Sequence, residues 1–235
     1  DIITVLEENA PLQWQEGFDN SGLLVGDREA EVQSALLCVD ITEDIVAEAV
    51  RRGANLVISH HPVIFHPLKH ITGYTYIERA LAEAVGIGLS LYACHTNLDV
   101  APNGMSGRLG NLLGLKNVSL LEQAEGRPEG VGLGIVGDVG KDIPVMEYLH
   151  FVKEKLALKS VRYSEPVFDK INRVALCTGA GASLARTARA EGAQLYLSAD
   201  YRYNDFLDAA GDGIIVADIG HYESEYCAID LIHDI

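Results

Sequence analysis

Apolar and polar positions alternate along this chain in two rhythms. Residues 35–40, 55–59 and 89–94 are short apolar runs bounded by glycine or polar residues, the pattern of strands buried on both faces of a parallel sheet. Between them, residues 43–52 and 74–85 carry apolar side chains at helical spacing, with Val46, Ala49 and Val50 on one face of the first. Thr42 stands where that helix needs an N-cap. A short helix over residues 1–10, ended near Pro11, precedes the series, and a helix over residues 105–113, stopped at Gly114, follows it. The first half therefore reads as β-α-β-α-β, which predicts a parallel sheet with right-handed crossovers.

The rhythm breaks in the centre. Residues 122–141 are rich in glycine and charge around an apolar stretch at 131–136, and residues 144–156 resemble a helix with Pro144 at its start. This segment reads as a hinge. Alternation then resumes, with strands expected over 173–177, 194–198 and 213–217 and helices over 183–191 and 203–210. The expected fold class is α/β: two α/β lobes with mostly parallel sheets and a metal cleft between them. The first lobe takes residues 1 to about 120 plus the C-terminal end, and the second about 121–220, within one domain over 1–235.

Composition narrows the classes. Apolar residues make up 48% and charged residues 22%, enough for a well-buried core and against disorder. The net charge of −16 disfavours nucleic acid and anionic membranes as partners. An anionic substrate would need local cations, which bound metals supply. Cys38, Cys94, Cys177 and Cys227 are far apart and form no CxxC pair, so they read as buried reduced thiols of a cytoplasmic protein. No signal peptide and no run of bilayer length is present. The sequence opens at Asp1 rather than Met, which leaves room for a trimmed leader.

The candidate chemistry sits where three apolar runs end. One runs into His60-His61-Pro62, one into Cys94-His95 with Asp99 four residues on, and one into Gly220-His221 with Glu225 four residues on. Ligands of open α/β sheets bind beyond the carboxyl ends of the strands. Taken singly, each group has an ordinary alternative: polar loop histidines, a turn cap at Asp99 beside Pro102-Asn103-Gly104, and a surface pair at His221 and Glu225. Adjacent histidines on a continuing strand point to opposite faces; on a turning backbone they can serve two different ions. If a helix opens at Gly220, His221 and Glu225 share one face. Together the groups favour a two-metal centre with His60, His61, Asp99, His221 and Glu225 as ligands. Glu225 has two oxygens with which to bridge two ions. The mixed nitrogen and oxygen donors suit Zn, Mn or Fe. His95 reads as a support behind the ligands or as the catalytic proton donor rather than as a primary ligand, and Thr96 as a residue that orients water. His66 and His70 lie on a loop with Pro62 and Pro67 and face solvent or substrate. Thr178-Gly179-Ala180-Gly181-Ala182-Ser183 is either an anion-presenting turn or a tight strand-to-helix turn, without the spacing of a Walker or dinucleotide motif. Asp19-Asn20-Ser21-Gly22-Leu23 reads as a polar turn lining the cleft.

Five of these segments, in this order, resemble the NIF-three-like family, also called GTP cyclohydrolase I type 2 homologues. They are Asp19-Asn20-Ser21-Gly22-Leu23, Ser59-His60-His61-Pro62, His95-Thr96-Asn97-Leu98-Asp99, Cys177-Thr178-Gly179-Ala180-Gly181 and Gly220-His221-Tyr222-Glu223-Ser224-Glu225. The resemblance implies two similar lobes with a dinuclear site between them, ligated by His60, His61, Asp99, His221 and Glu225. It implies a homo-oligomer, a toroidal hexamer, holding two divalent or trivalent metal ions (Zn, Fe or Mn). Some members insert a middle domain, for which the short centre here leaves no room. The family label suggests hydrolytic opening of the GTP purine ring, with a small-molecule or nucleotide substrate. The rival reading is a metal-stabilised oligomeric regulatory or scaffold protein. Two departures stand out: Ala199 replaces the usual Gly and Asn204 the usual His, and Asn204 cannot act as a base. The sequence also stops soon after the His221 helix, where members commonly have a further strand.

Overall fold

The computed structural model describes residues 2–235; Asp1, the first residue of the expected N-terminal helix, lies outside them. The chain forms two compact units, one running to Leu98 and completed by Ala228–Ile235, the other spanning Asp99–Cys227. The sequence places the change of lobe near 120. The helix at 105–112 instead belongs to the second unit, because its Leu109 is buried in that unit's core.

The first unit opens with α1 (Ile2–Asn9), whose Ile3 and Leu6 are buried. Four strands follow: β1 (Gly22–Val25), β2 (Ala35–Cys38), β3 (Leu56–Ser59) and β4 (Ser90–Ala93). Helix α2 (Glu43–Arg52) joins β2 to β3, and α3 (Tyr76–Ile87) joins β3 to β4. The expected cap is present, with the Thr42 side chain accepting from the Ile45 amide. Val46 and Ala49 of α2 and Ala80, Leu81 and Ala84 of α3 share a core with Val57 and Leu91 of the strands. The sheet order is β1-β4-β3-β2, with β2, β3 and β4 parallel and β1 antiparallel on β4. Strand β1 overlaps the segment expected to be a polar turn; the turn lies ahead of it at Gly17-Phe18, closed by the Asp19 amide donating to the Glu16 carbonyl at 3.0 Å.

The one-turn helix α4 (Thr96–Asp99) and α5 (Met105–Leu112) lead into the second unit. Strands β5 (Lys116–Gln123) and β6 (Gly132–Pro144) pair antiparallel, so the expected central hinge is a long hairpin. The glycines that hid it have a packing reason. A Cβ at Gly132 would lie 2.0 Å from the Glu122 carbonyl, and one at Gly137 3.0 Å from that of Lys116. Glycine in a strand marks such close backbone approach. Then come α6 (Val145–Lys155), β7 (Arg162–Tyr163), β8 (Lys170–Leu176), α7 (Ala185–Ala190), β9 (Leu195–Ser198), α8 (Tyr203–Asp212), β10 (Ile215–Asp218) and α9 (His221–Glu225). Finally α10 (Ala228–Asp234) returns to the first unit.

The second sheet has the order β5-β6-β8-β9-β10-β7. Only β8, β9 and β10 are mutually parallel; the other pairings are antiparallel. The expectation of mostly parallel sheets is therefore corrected here to a mixed sheet, since the glycine-rich hairpin adds antiparallel partners. Side chains alternate across it as strand geometry requires. Val174, Leu176, Leu195, Leu197, Ile215 and Ala217 face α5 and α6, and Ala175, Tyr196 and Val216 face the α7–α8 side. Both units thus share one frame: three parallel strands in sequential order, with a short helix after the third. Among the described residues no helix is long and apolar enough to cross a membrane.

Candidate metal centre

In the first unit a histidine cluster stands at the carboxyl ends of β2, β3 and β4. The ladder continues past the strands: the His60 amide donates to the Cys38 carbonyl (3.1 Å), that of His61 to Val39 (2.9 Å), and that of Cys94 to Ser59 (2.9 Å). The Ser59 hydroxyl donates to the His61 carbonyl at 2.7 Å and tightens the turn. The two adjacent imidazoles consequently lie side by side, with ring centroids 5.0 Å apart. His95 joins them at 5.3 and 5.4 Å. One ligating atom from each of the three rings falls within 4.8 Å of the others.

Each ring is oriented from behind. Nδ1 of His60 lies 2.7 Å from the Cys94 carbonyl, Nδ1 of His61 2.8 Å from Asp40, and Nδ1 of His95 2.7 Å from Asp19. A carbonyl or carboxylate only accepts, so each neutral ring carries its proton on Nδ1 and offers the Nε2 lone pair. Metal-ligating histidines have this arrangement. Asp19 is the most elaborate support. Its side chain is fully buried and also takes hydrogen bonds from the Thr96 amide (3.0 Å), the Thr96 hydroxyl and the Ser21 hydroxyl (2.9 Å). Burial pushes the Asp19 carboxyl up, but the bonds from His95 and Thr96 outweigh it and hold the group well below the usual carboxylate range.

In the second unit a histidine and a carboxylate stand at the carboxyl ends of β8, β9 and β10. Gly220, at φ 77°, opens α9, and His221 and Glu225 share one face with Nε2 3.1 Å from the Glu225 carboxylate. His221 Nδ1 meets Asp200 at 2.8 Å, the same support the other three rings have. The Glu225 hydrogen bond, opposed by burial and aided by Asp200, raises His221 to about 9. Gly179, at φ 62°, makes room for Glu225: a Cβ there would lie 2.2 Å from its Oε1 and 3.4 Å from His221 Nε2. The amides of Gly179 and Gly181 donate to Ser224 and Ser198 at 3.0 and 2.9 Å. That turn therefore shapes the carboxylate, and these two amides are not turned to an anion. Asp99 and Glu225 both act on the buried Cys177 thiol, which burial first and then these charges push up to about 12.

The first unit thus gathers His60, His61 and His95, and the second holds Asp99, His221 and Glu225. Imidazole nitrogens and carboxylate oxygens are the donors that Zn, Mn and Fe accept. Sequence reasoning missed Asp40 and Asp200. A signal existed: each lies two residues beyond a parallel strand, and the registers Cys38–Ser59 and Ser198–Asp218 carry them beside the neighbouring strand's histidine. Asp200 takes up the left-handed backbone at φ 58° to do so, a conformation that costs a non-glycine residue free energy and collects at functional sites.

A family model described as Duf34/NIF3 (NGG1p interacting factor 3) matches residues 1–235. A protein of Clostridium perfringens named GTP cyclohydrolase 1 type 2 homolog is 34% identical over 226 residues, covering 96% of this chain and 86% of its own. A protein of the same name from Clostridium acetobutylicum is 31% identical over 97% of this chain and 85% of its own. Among solved structures, a hypothetical protein of Staphylococcus aureus superposes with a TM-score of 0.89 at 29% identity, covering 95% of this chain and 86% of its own. Reduced HcgD from Methanocaldococcus jannaschii does so at 0.82 and 28%, covering 99% and 90%. With a family model matched from end to end and relatives above 30% identity, the chain belongs to the DUF34/NIF3 family.

Proposed function

We propose that the chain is a metal-dependent hydrolase in which the two half-sites hold a pair of ions. His60, His61, Asp99, His221 and Glu225 are the ligands, and His95 moves a proton. One observation carries this reading: four imidazoles each have Nδ1 held against a carbonyl or carboxylate oxygen, which assigns metal ligation or proton exchange to Nε2. The ions are Zn, Fe or Mn, and once bound they would lower the pKa of a coordinated water enough to supply hydroxide near neutral pH. Glu225 offers two oxygens, and Gly179 and Ser224 fix where they sit. Asp19 stays ionised and keeps the Nδ1 proton of His95 in place, so the ring exchanges protons at Nε2 with a substrate or water. The relatives' name supports the GTP purine ring as the bond system attacked; a phosphoester would use the same centre.

Metal-loaded protein assayed with GTP and a panel of phosphoesters tests the proposal. Turnover that Glu225→Ala abolishes is expected; turnover unchanged in that variant would end it. The family's description as an interacting factor supports a second reading, a metal-stabilised oligomeric regulator; the assembly in that reading is a toroidal hexamer. Chelation that breaks the oligomer in a protein with no turnover selects that reading.

A further inference from the structure

The aromatic series does not stop at the histidine cluster. Phe65 stands on His95 at 5.9 Å between ring centroids and 82° between planes, and Phe18 stands on Phe65 at 6.3 Å and 68°. A run of rings therefore leads from fully buried His60 to Phe65 and Phe18, which are 38% and 66% exposed. Both phenylalanines adjoin the Asp19–Ser21 segment that also orients His95. Phe18 directly precedes Asp19, and the Asn20 side-chain amide donates to the Ile64 carbonyl at 2.6 Å, next to Phe65. Phe65 also meets the His66 ring at 4.8 Å, and the apolar ring surface that the two phenylalanines keep in water beside a polar site costs about 25 cal/mol per Å².

We propose that Phe65 and Phe18 form a stacking subsite for the planar heteroaromatic ring of a ligand whose polar edge is held at the histidine cluster. A ligand that spans this step must offer a flat π-face to the phenylalanines and nitrogen or oxygen lone pairs to the ions; a nitrogen heterocycle has both, whereas an aliphatic or sugar group lacks the face. The inference rests on the dinuclear reading for what holds the polar edge, and on the ring geometry alone for the stack.

Calorimetric titration of the zinc-loaded full chain with guanosine, adenosine and a pterin, with ribose 5-phosphate as the non-aromatic control, tests it. Stacking of a base on one aromatic side chain is worth about five- to a hundred-fold in affinity. At least one aromatic probe is expected to bind, to weaken at least about fivefold in both Phe65→Leu and Phe18→Leu, and to recover in Phe65→Tyr, with zinc content and the control unchanged. The inference is overturned if no aromatic probe binds more tightly than ribose 5-phosphate, if the leucine variants bind like the parent, or if they lose the control equally. It is also overturned if Phe18→Leu shifts the oligomeric state, which would make this surface a contact with a second copy. A chain that holds no zinc yet shows the ring-specific loss keeps the stacking subsite and refutes the dinuclear reading.

Discussion

The two units solve one problem with different donors. Each sets its functional groups past three parallel strands in sequential order, and each follows the third with a short helix. In the first, these positions deliver three imidazoles around fully buried His60. In the second they deliver one imidazole, 35% exposed, with Glu225 buried beside it; Asp99, at the end of α4, adds its charge at the buried Cys177. The first offers ring nitrogens oriented by Cys94, Asp40 and Asp19; the second adds carboxylate oxygens to the ligand set. Bringing cations to a dry site costs several kcal/mol per ion unless opposite charge and hydrogen bonds offset it. The carboxylate half should therefore govern whether ions stay, and the histidine half where they sit.

The largest break in this comparison is Gly179→Ala. The new Cβ would collide with Glu225 Oε1 at 2.2 Å, and the left-handed backbone adds about 1–2 kcal/mol of strain. Metal content is expected to fall by at least half while far-UV circular dichroism is kept; full retention of metal would show that Glu225 is not a ligand.

Next come the supports. Asp200→Asn and Asp40→Asn each remove a carboxylate behind a histidine, and each is expected to weaken metal affinity about 10–100-fold by competition with a chelating dye. Asp200→Asn should have the larger effect if charge in the second half governs retention, and equal losses would remove that asymmetry.

The pH dependence sharpens the same point. In metal-free protein His221 is raised to about 9, chiefly by Glu225. The pair's contribution to stability is full below about 6.5, the ordinary histidine value, and is lost as pH rises through about 9. Metal binding between these limits must expel that proton, so calorimetry in buffers of different ionisation enthalpy should show proton release. Uptake without proton release would place the ion away from His221.

The smallest effect lies away from both half-sites. Glu78 accepts from the Thr72 amide and hydroxyl, the Tyr74 amide and the Thr75 hydroxyl, with the Thr72 amide first among the causes that hold it at about 2. Its folded pKa is depressed, so its contribution is present above about 4.3 and lost as pH falls through about 2. Glu78→Gln is expected to flatten the acid limb of the stability curve and to leave metal content unchanged.

Much of this was legible in the chain. Helix α2 lies where its cap and periodicity put it, although Val50, expected on one face with Val46 and Ala49, is exposed; the strands ending at Ser59 and Ser198 coincide with apolar runs, because buried parallel strands leave a continuous hydrophobic signature. What stayed hidden depends on pairing. Asp40 reaches His61 only through the β2–β3 register, and Asp19 reaches His95 across 76 residues of sequence. The β5–β6 hairpin was masked because its glycines answer to neighbouring backbone rather than to a hydrophobic period. The positions of His60, His95 and His221 after strands could be read locally; their grouping required three dimensions.

The most direct test of the central claim is metal stoichiometry with anomalous diffraction on the loaded protein. The account predicts two ions per chain, touching His60, His61, Asp99, His221 and Glu225, with both reduced in Glu225→Ala. Fewer than one ion per chain after loading, or ions bound away from these side chains, would contradict it.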